Sequence, residues 1–208
     1  MAIVYGPLHS DAASGQFADA LVFGKWKGRA VVRRKVSPTN PKSAKQTGVR
    51  SMMGFLAAMW KAKTDPKWTG WTSAAEAGQI STFNAFIAEN LRRWQLFKGP
   101  TQVYPAAEAS SVLTITTMTC TGNVGYATVA ITPSGGTALW GFLVFRDTAE
   151  ITTPSWANCV GVIEANGTNA VTFTDSPLDA ETYHYRVAAI NTDGVIGTVK
   201  ADATAVVT

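Results

Sequence analysis

The 208-residue sequence predicts an α+β N-terminal module, a β-ribbon plus short helices, followed by an all-β sandwich. Three observations lead there. Apolar residues recur at spacings of three and four between residues 49 and 94. Short β-branched runs separated by turn residues fill residues 114 to 205. A stretch marked by glycine and two prolines, at residues 99–108, divides the two patterns. The expected organisation is a basic ribbon-and-helix docking module over 1–98, a linker over 99–108 and a sandwich over 109–208.

Taken in order, residues 17–36 read as a two-stranded ribbon. Phe17, Leu21 and Phe23 alternate with polar or small residues, Gly24-Lys25-Trp26-Lys27-Gly28-Arg29 supplies the turn, and Ala30-Val31-Val32 returns. An isolated hairpin is marginal in water, so this ribbon is expected to pack on something. Ser37-Pro38-Thr39-Asn40-Pro41 excludes helix and central strand, because each proline removes a donor and drives its predecessor extended. Asn40 as N-cap with Pro41 in the first helical position then predicts a helix with Val49, Met52, Met53, Leu56, Met59 and Trp60 on its buried face. Asp65-Pro66 repeats the start signal, and Ser73-x-x-Glu76 reads as a capping box. A last helix spans about 81–94 and buries Phe83, Phe86, Ile87, Leu91 and Trp94, with Asn84, Glu89, Arg92 and Arg93 off that stripe.

After the linker, runs at 114–121, 125–132, 138–146, 160–164, 170–174, 182–190 and 195–205 read as strands. Pro133-Ser134-Gly135-Gly136, Asn166-Gly167 and Asp193-Gly194 supply turns between them. Seven short strands in about 100 residues is the pattern of an immunoglobulin-like sandwich.

Charge divides the chain further. Residues 1–104 carry 15 Lys and Arg against 5 Asp and Glu, and residues 105–208 carry 3 against 9. A basic half joined to an acidic half implies two modules with different neighbours. Two cysteines (Cys120, Cys159) and two histidines (His9, His184) lie too far apart for zinc-ligand spacing; the thiols are expected to be free and buried on strands, with a disulfide between them the alternative. No apolar run approaches 18 residues, so no membrane-spanning helix and no membrane partner are expected. The first residues lack a basic region followed by an apolar core, so they do not read as a secretory signal, and a soluble protein made inside the cell is expected. No paired titratable groups, nucleophile signature or phosphate loop stands out; neither catalysis nor a cofactor is expected.

What remains is the basic run. Lys25, Trp26, Lys27, Arg29, Arg33, Arg34 and Lys35, with Asn40, Gln46 and Arg50 beyond the prolines, are the candidate partner-binding residues. Cations interleaved with an aromatic ring suit phosphates. They equally suit an acidic protein surface, including the acidic half of another copy. A proline-kinked arm favours laying along a protein neighbour. A sugar-binding adhesin, with Trp156 stacking on a ring, is the third class considered.

Two resemblances bear on these readings. Phe173-x-Asp175-x-x-Leu178, the run Thr182–Asn191 and Asp193-Gly194 resemble the second half of a fibronectin type III domain, and Trp140–Arg146 is similar to its central strand. The resemblance implies that the Tyr183 hydroxyl ties the chain back onto the preceding turn. Ala180-Glu181 stands where that family usually has Pro-Gly, and residues 127–131 lack its usual tryptophan. In the first half, Phe23-Gly24-x-Trp26-Lys27-Gly28-Arg29, Val32-Arg33, Val36-x-Pro38-x-Asn40-Pro41, Gln46, Arg50, Trp60 and Phe83-x-x-Phe86-Ile87-x-x-Asn90 resemble a family of small structural proteins of tailed bacteriophages. That resemblance implies a virion component present in many copies or as a homo-oligomer, with capsid or tail subunits as partners. A head decoration or cement role is the first expectation and a tail or neck role the alternative.

Overall fold

The computed structural model describes residues 2–3, 14–18, 20–36, 43–62, 70–109, 114–134 and 139–208, in two units, Met1–Pro41 and Lys42–Thr208. In the first, strands β1 (Ala2–Ile3), β2 (Gly15–Phe17), β3 (Leu21–Trp26) and β4 (Arg29–Arg34) form an antiparallel sheet in the order β1-β4-β3-β2. The expected ribbon is therefore the centre of a four-stranded sheet. Its turn is two residues long. Lys27 (φ 48°) and Gly28 (φ 78°) both take left-handed backbone, the type I′ geometry that matches strand twist, and Trp26 pairs with Arg29.

The second unit holds helices α1 (Ala44–Lys61), α2 (Trp71–Gly78) and α3 (Thr82–Gln95), then β5 (Ile115–Asn123), β6 (Tyr126–Pro133), β7 (Leu139–Asp147), β8 (Cys159–Glu164), β9 (Val171–Asp175), β10 (Thr182–Asn191) and β11 (Ala203–Val206). These strands make two antiparallel sheets, β5-β6-β9 and β11-β10-β7-β8. Seven strands so divided form an immunoglobulin-like sandwich. Residues 195–202, read as strand from sequence, instead follow β10 with irregular backbone bonds such as Gly197 N–H to Ala189 O and Lys200 N–H to Val187 O.

Two cores lie back to back on the larger sheet. Between the sheets, Val129, Ile131, Phe142, Val144, Tyr185 and Val187 interdigitate. On the sheet's other face, Leu143, Phe145, Ala188 and Ile190 pack with Met52, Leu56, Trp71, Phe86 and Trp94 of the helices. At a register shift opposite Ile190–Asn191, Trp140 of β7 joins the helix-facing core, 5.2 Å from the Phe55 ring centroid. β7 is thus apolar on both faces because both faces are covered.

Helix α1 lies against β8. A Cβ on Gly48 would stand 2.2 Å from the Cys159 carbonyl oxygen, so only glycine permits this approach. One turn on, Ser51 Oγ accepts from Val162 N–H (2.7 Å) and donates to Val162 O (3.3 Å), satisfying both backbone groups of a β8 residue. The thiols are free. Burial pushes Cys159 on β8 up to about 12 and Cys120 on β5 up to about 11.

Residues 99–108 are not a spacer. Thr101 is buried, its N–H donates to Asn90 Oδ1 (2.6 Å) and its carbonyl accepts from Asn90 Nδ2 (3.1 Å), so this stretch is a strap stitched to α3. Gln102 N–H donates to Thr192 O and Glu108 N–H to Asp193 O, which stitches the strap's other side to the sandwich. Arg93, expected off the buried stripe, is buried. It donates from Nε to Gly99 O (2.9 Å), from Nη2 to Gly194 O (3.0 Å) and from Nη1 to Glu108 (3.1 Å). One guanidinium thereby joins α3, the strap and the loop after β10. The division between units consequently falls at Pro41/Lys42 and not at residue 98.

Local starts differ as well. Helix α1 begins at Ala44 with Ser43 as N-cap, and Thr47 N–H donates to Ser43 O; the expected Asn40-Pro41 start lies outside the described residues, as do Asp65, Pro66 and Trp68. On α1, Phe55 is buried and Met53 is exposed, a rotation of the expected stripe. Gly70 with left-handed backbone caps α2, and Ser73 Oγ donates to Gly70 O, so Ser73 is inside the helix and not its cap. Ser81 caps α3, accepting from Asn84 N–H.

Candidate functional site

The candidate residues fall on both units. Lys25, Trp26, Lys27, Arg29, Arg33, Arg34 and Lys35 belong to the ribbon unit. Gln46 and Arg50 lie on α1 in the other unit, and Asn40 lies outside the described residues. The ribbon residues do not form one basic stripe. Paired residues share a face of an antiparallel sheet and successive residues alternate. Leu21 pairs with Arg34, Phe23 with Val32 and Lys25 with Ala30, which sets Lys25 and Arg34 on one face. Phe17 pairs with Leu21 and joins that face. Val22 pairs with Arg33, Gly24 with Val31 and Trp26 with Arg29, which sets Arg29 and Arg33 on the other.

Both faces therefore mix apolar groups with cations. Among the described residues of this unit only Val31 is buried, while Trp26 is 55% and Phe17 57% exposed. The Lys27 ammonium lies 4.8 Å from the Trp26 ring centroid, a cation–π contact at the turn. Lys35 N–H donates to Ala20 O and closes the open end of the ribbon. A shallow hollow on this unit is lined by Val22, Phe23, Gly24, Lys25, Trp26 and Arg33.

In the second unit a polar hollow is lined by Thr47, Arg50, Arg146, Asp175, Ser176 and Pro177. Buried Asp175 accepts there from Arg146 Nη1 (2.8 Å) and from the Tyr185 hydroxyl (3.0 Å). Burial first, and the Asp175 charge second, push the Tyr185 hydroxyl well above its ordinary range, so it donates and does not ionise. The Arg146 guanidinium stands 5.4 Å from the Tyr183 ring centroid. The Tyr183 hydroxyl donates to Asp179 O (3.3 Å), the tie expected of a corner tyrosine. This constellation closes the sandwich. The sequence singles out Tyr183 in it, through the corner-tyrosine resemblance, but not the Asp175–Arg146–Tyr185 cluster, whose signal is Arg146 ending an apolar run. Among the described residues no group of three or more His, Cys, Asp or Glu could hold a metal, and no helix is long and apolar enough to cross a membrane.

No protein-family model and no curated protein matches the chain. Among solved structures, a Fn3-like protein from Clostridium thermocellum is similar at 20% identity and a TM-score of 0.34, over 47% of this chain and 96% of that one. The PKD domain of an M14-like peptidase from Thermoplasmatales archaeon SCGC AB-540-F20 is similar at 12% identity and a TM-score of 0.30, over 46% and 92%. A β-1,2-glucanase from Parabacteroides distasonis is similar at 12% identity and a TM-score of 0.33, over 47% of this chain and 14% of that one. The immunoglobulin-like assignment stands on strand order and packing within the chain itself. The ribbon, where Phe17, Leu21 and Trp26 are exposed beside cations, is the candidate docking surface.

Proposed function

We propose that the chain is a structural protein of a tailed-bacteriophage virion, docking through its ribbon unit on capsid or tail subunits and presenting the helix-capped sandwich. The observation that carries this is the ribbon's surface: a sheet of short strands with one buried side chain among those described and with Phe17, Leu21 and Trp26 exposed beside Lys25, Arg29, Arg33 and Arg34. A sheet that small, bearing aromatic rings and cations on both faces, is an element completed by a partner. Aromatic and arginine residues are also the groups that dominate binding energy at protein interfaces. The resemblance of the Phe23–Arg29 and Val36–Pro41 segments to phage structural proteins supplies the kind of assembly. A head decoration or cement role is the first form of the proposal; a tail or neck role fits the same surface.

The test is incorporation. Deleting residues 1–41 should leave a folded helix–sandwich body that no longer enters particles, scored by gel analysis of purified virions. Retained incorporation would contradict docking through the ribbon. Nucleic acid is the second reading considered. The period-2 division of the cations between faces is against it, since phosphates of one strand are met from one side. A steep fall of DNA affinity with salt would restore that reading.

A further inference from the structure

The sandwich has one end whose surface its own cores leave unused. The β5–β6 turn carries Val124 at 80% exposure and leads to exposed Tyr126, and Val206 on β11 is 61% exposed. These residues lie together because the chain is laced there. Leu178 N–H donates to Gly125 O, Val207 N–H to Glu181 O, Gly125 N–H to Thr208 O and Thr208 N–H to Asn123 O. A Cβ on Gly122 would meet the Val206 carbonyl oxygen, which shows how closely β5 and β11 approach. The same lacing places exposed Asp179 and Glu181 at this end. The patch is apolar and acidic.

The ribbon face formed by Phe17, Leu21, Lys25 and Arg34 is its chemical counterpart, apolar and basic, with all four residues exposed. The charge balance extends beyond these groups. Residues 1–41 carry 6 Lys and Arg against 2 Asp and Glu, while residues 109–208 carry 3 against 8. Ribbon against ribbon would bring like charges together, and sandwich end against sandwich end would do the same. We propose that this ribbon face of one copy docks on the Val124–Tyr126–Val206 end of a second copy, beside Asp179 and Glu181. The contact joins two different surfaces, so it is heterologous, and repetition closes a ring or extends a filament. It rests on the reading of the ribbon as a docking element and names the chain itself as a partner.

Sedimentation of the full chain over a range of concentrations tests it, at low and high salt. The wild type should associate with rising concentration, and salt should weaken the association. Asp179→Lys with Glu181→Lys, and separately Lys25→Glu with Arg34→Glu, should each weaken it by about tenfold or more, two charge pairs turning from attraction to repulsion. The Asp179 substitution leaves the Tyr183 tie intact, because that bond uses the backbone carbonyl. Unchanged thermal melting of each variant shows that folding is not the cause. Mixing the two variants should restore association, since each then meets an opposite charge. A wild type that stays monomeric at every concentration, or association indifferent to both pairs of substitutions, would overturn the self-docking. Incorporation of the 1–41 deletion into particles would instead overturn the docking role of the ribbon, so the two failures are distinguishable.

Discussion

The two units treat apolar surface in opposite ways. In the ribbon, Val31 is the sole buried side chain among those described and Trp26 and Phe17 stay more than half exposed. In residues 42–208, Trp71, Trp94, Phe86, Phe142, Phe145 and Tyr185 are fully buried across two cores that share one sheet. A body with that much buried aromatic surface is stable by itself; a sheet with almost none depends on what it touches. The difference separates the residues that hold the fold from those that, under the proposed docking, meet a partner. Substitutions on the two sides should consequently fail in different assays.

The largest expected effect is in the helix–sheet contact. Gly48→Ala puts a methyl 2.2 Å from the Cys159 carbonyl oxygen, and α1 must lift from β8. Urea unfolding should show a loss of about 3 kcal/mol, less any gain from alanine's helix propensity. A neutral outcome would mean that α1 does not bear on the sheet as described. Arg93→Ala comes next. It strips a buried donor from Gly99 O and Gly194 O, and about 2 kcal/mol should be lost by the same measurement. At the other extreme, Trp26→Ala in the ribbon should leave unfolding free energy within about 0.5 kcal/mol of wild type, while reducing particle incorporation. If it unfolds the body instead, the contrast between the units is broken.

Much of this contrast was legible in the sequence, and the exceptions have physical causes. Alternation and turn residues locate six of the seven sandwich strands to within two residues, because a half-buried strand writes its period into the chain; the last begins at Ala203 and not at residue 195. The same rule predicts that Lys25 and Arg34 oppose Arg29 and Arg33, yet a run of adjacent cations reads as a single patch when its period is ignored. The strap misled through composition. Gly99, Pro100 and Pro105 look like a linker, and nothing local reveals that Asn90 and Thr101 would exchange two hydrogen bonds. Arg93 misled through its charge, since a buried guanidinium is recognisable only once its acceptors, up to 101 residues away, are in place. One signal was available. Leu139–Phe145 is apolar at consecutive positions, and a strand apolar on both faces requires a cover on both, which here is the helices. For the candidate residues, nearness in sequence does not give placement: Gln46 and Arg50 belong to α1, in the unit beyond the prolines.

The helices and the sandwich are one cooperative body and the ribbon a separate one. Hydrogen exchange of the full chain, read by peptide mass spectrometry, tests that claim most directly. Amides of α1, α3 and β7 should open together with the global unfolding of residues 42–208, and ribbon peptides from residues 14–36 should exchange at least about tenfold faster in the absence of a partner. Helices that open as their own unit, ahead of the sandwich, or a ribbon as protected as β7, would contradict the account.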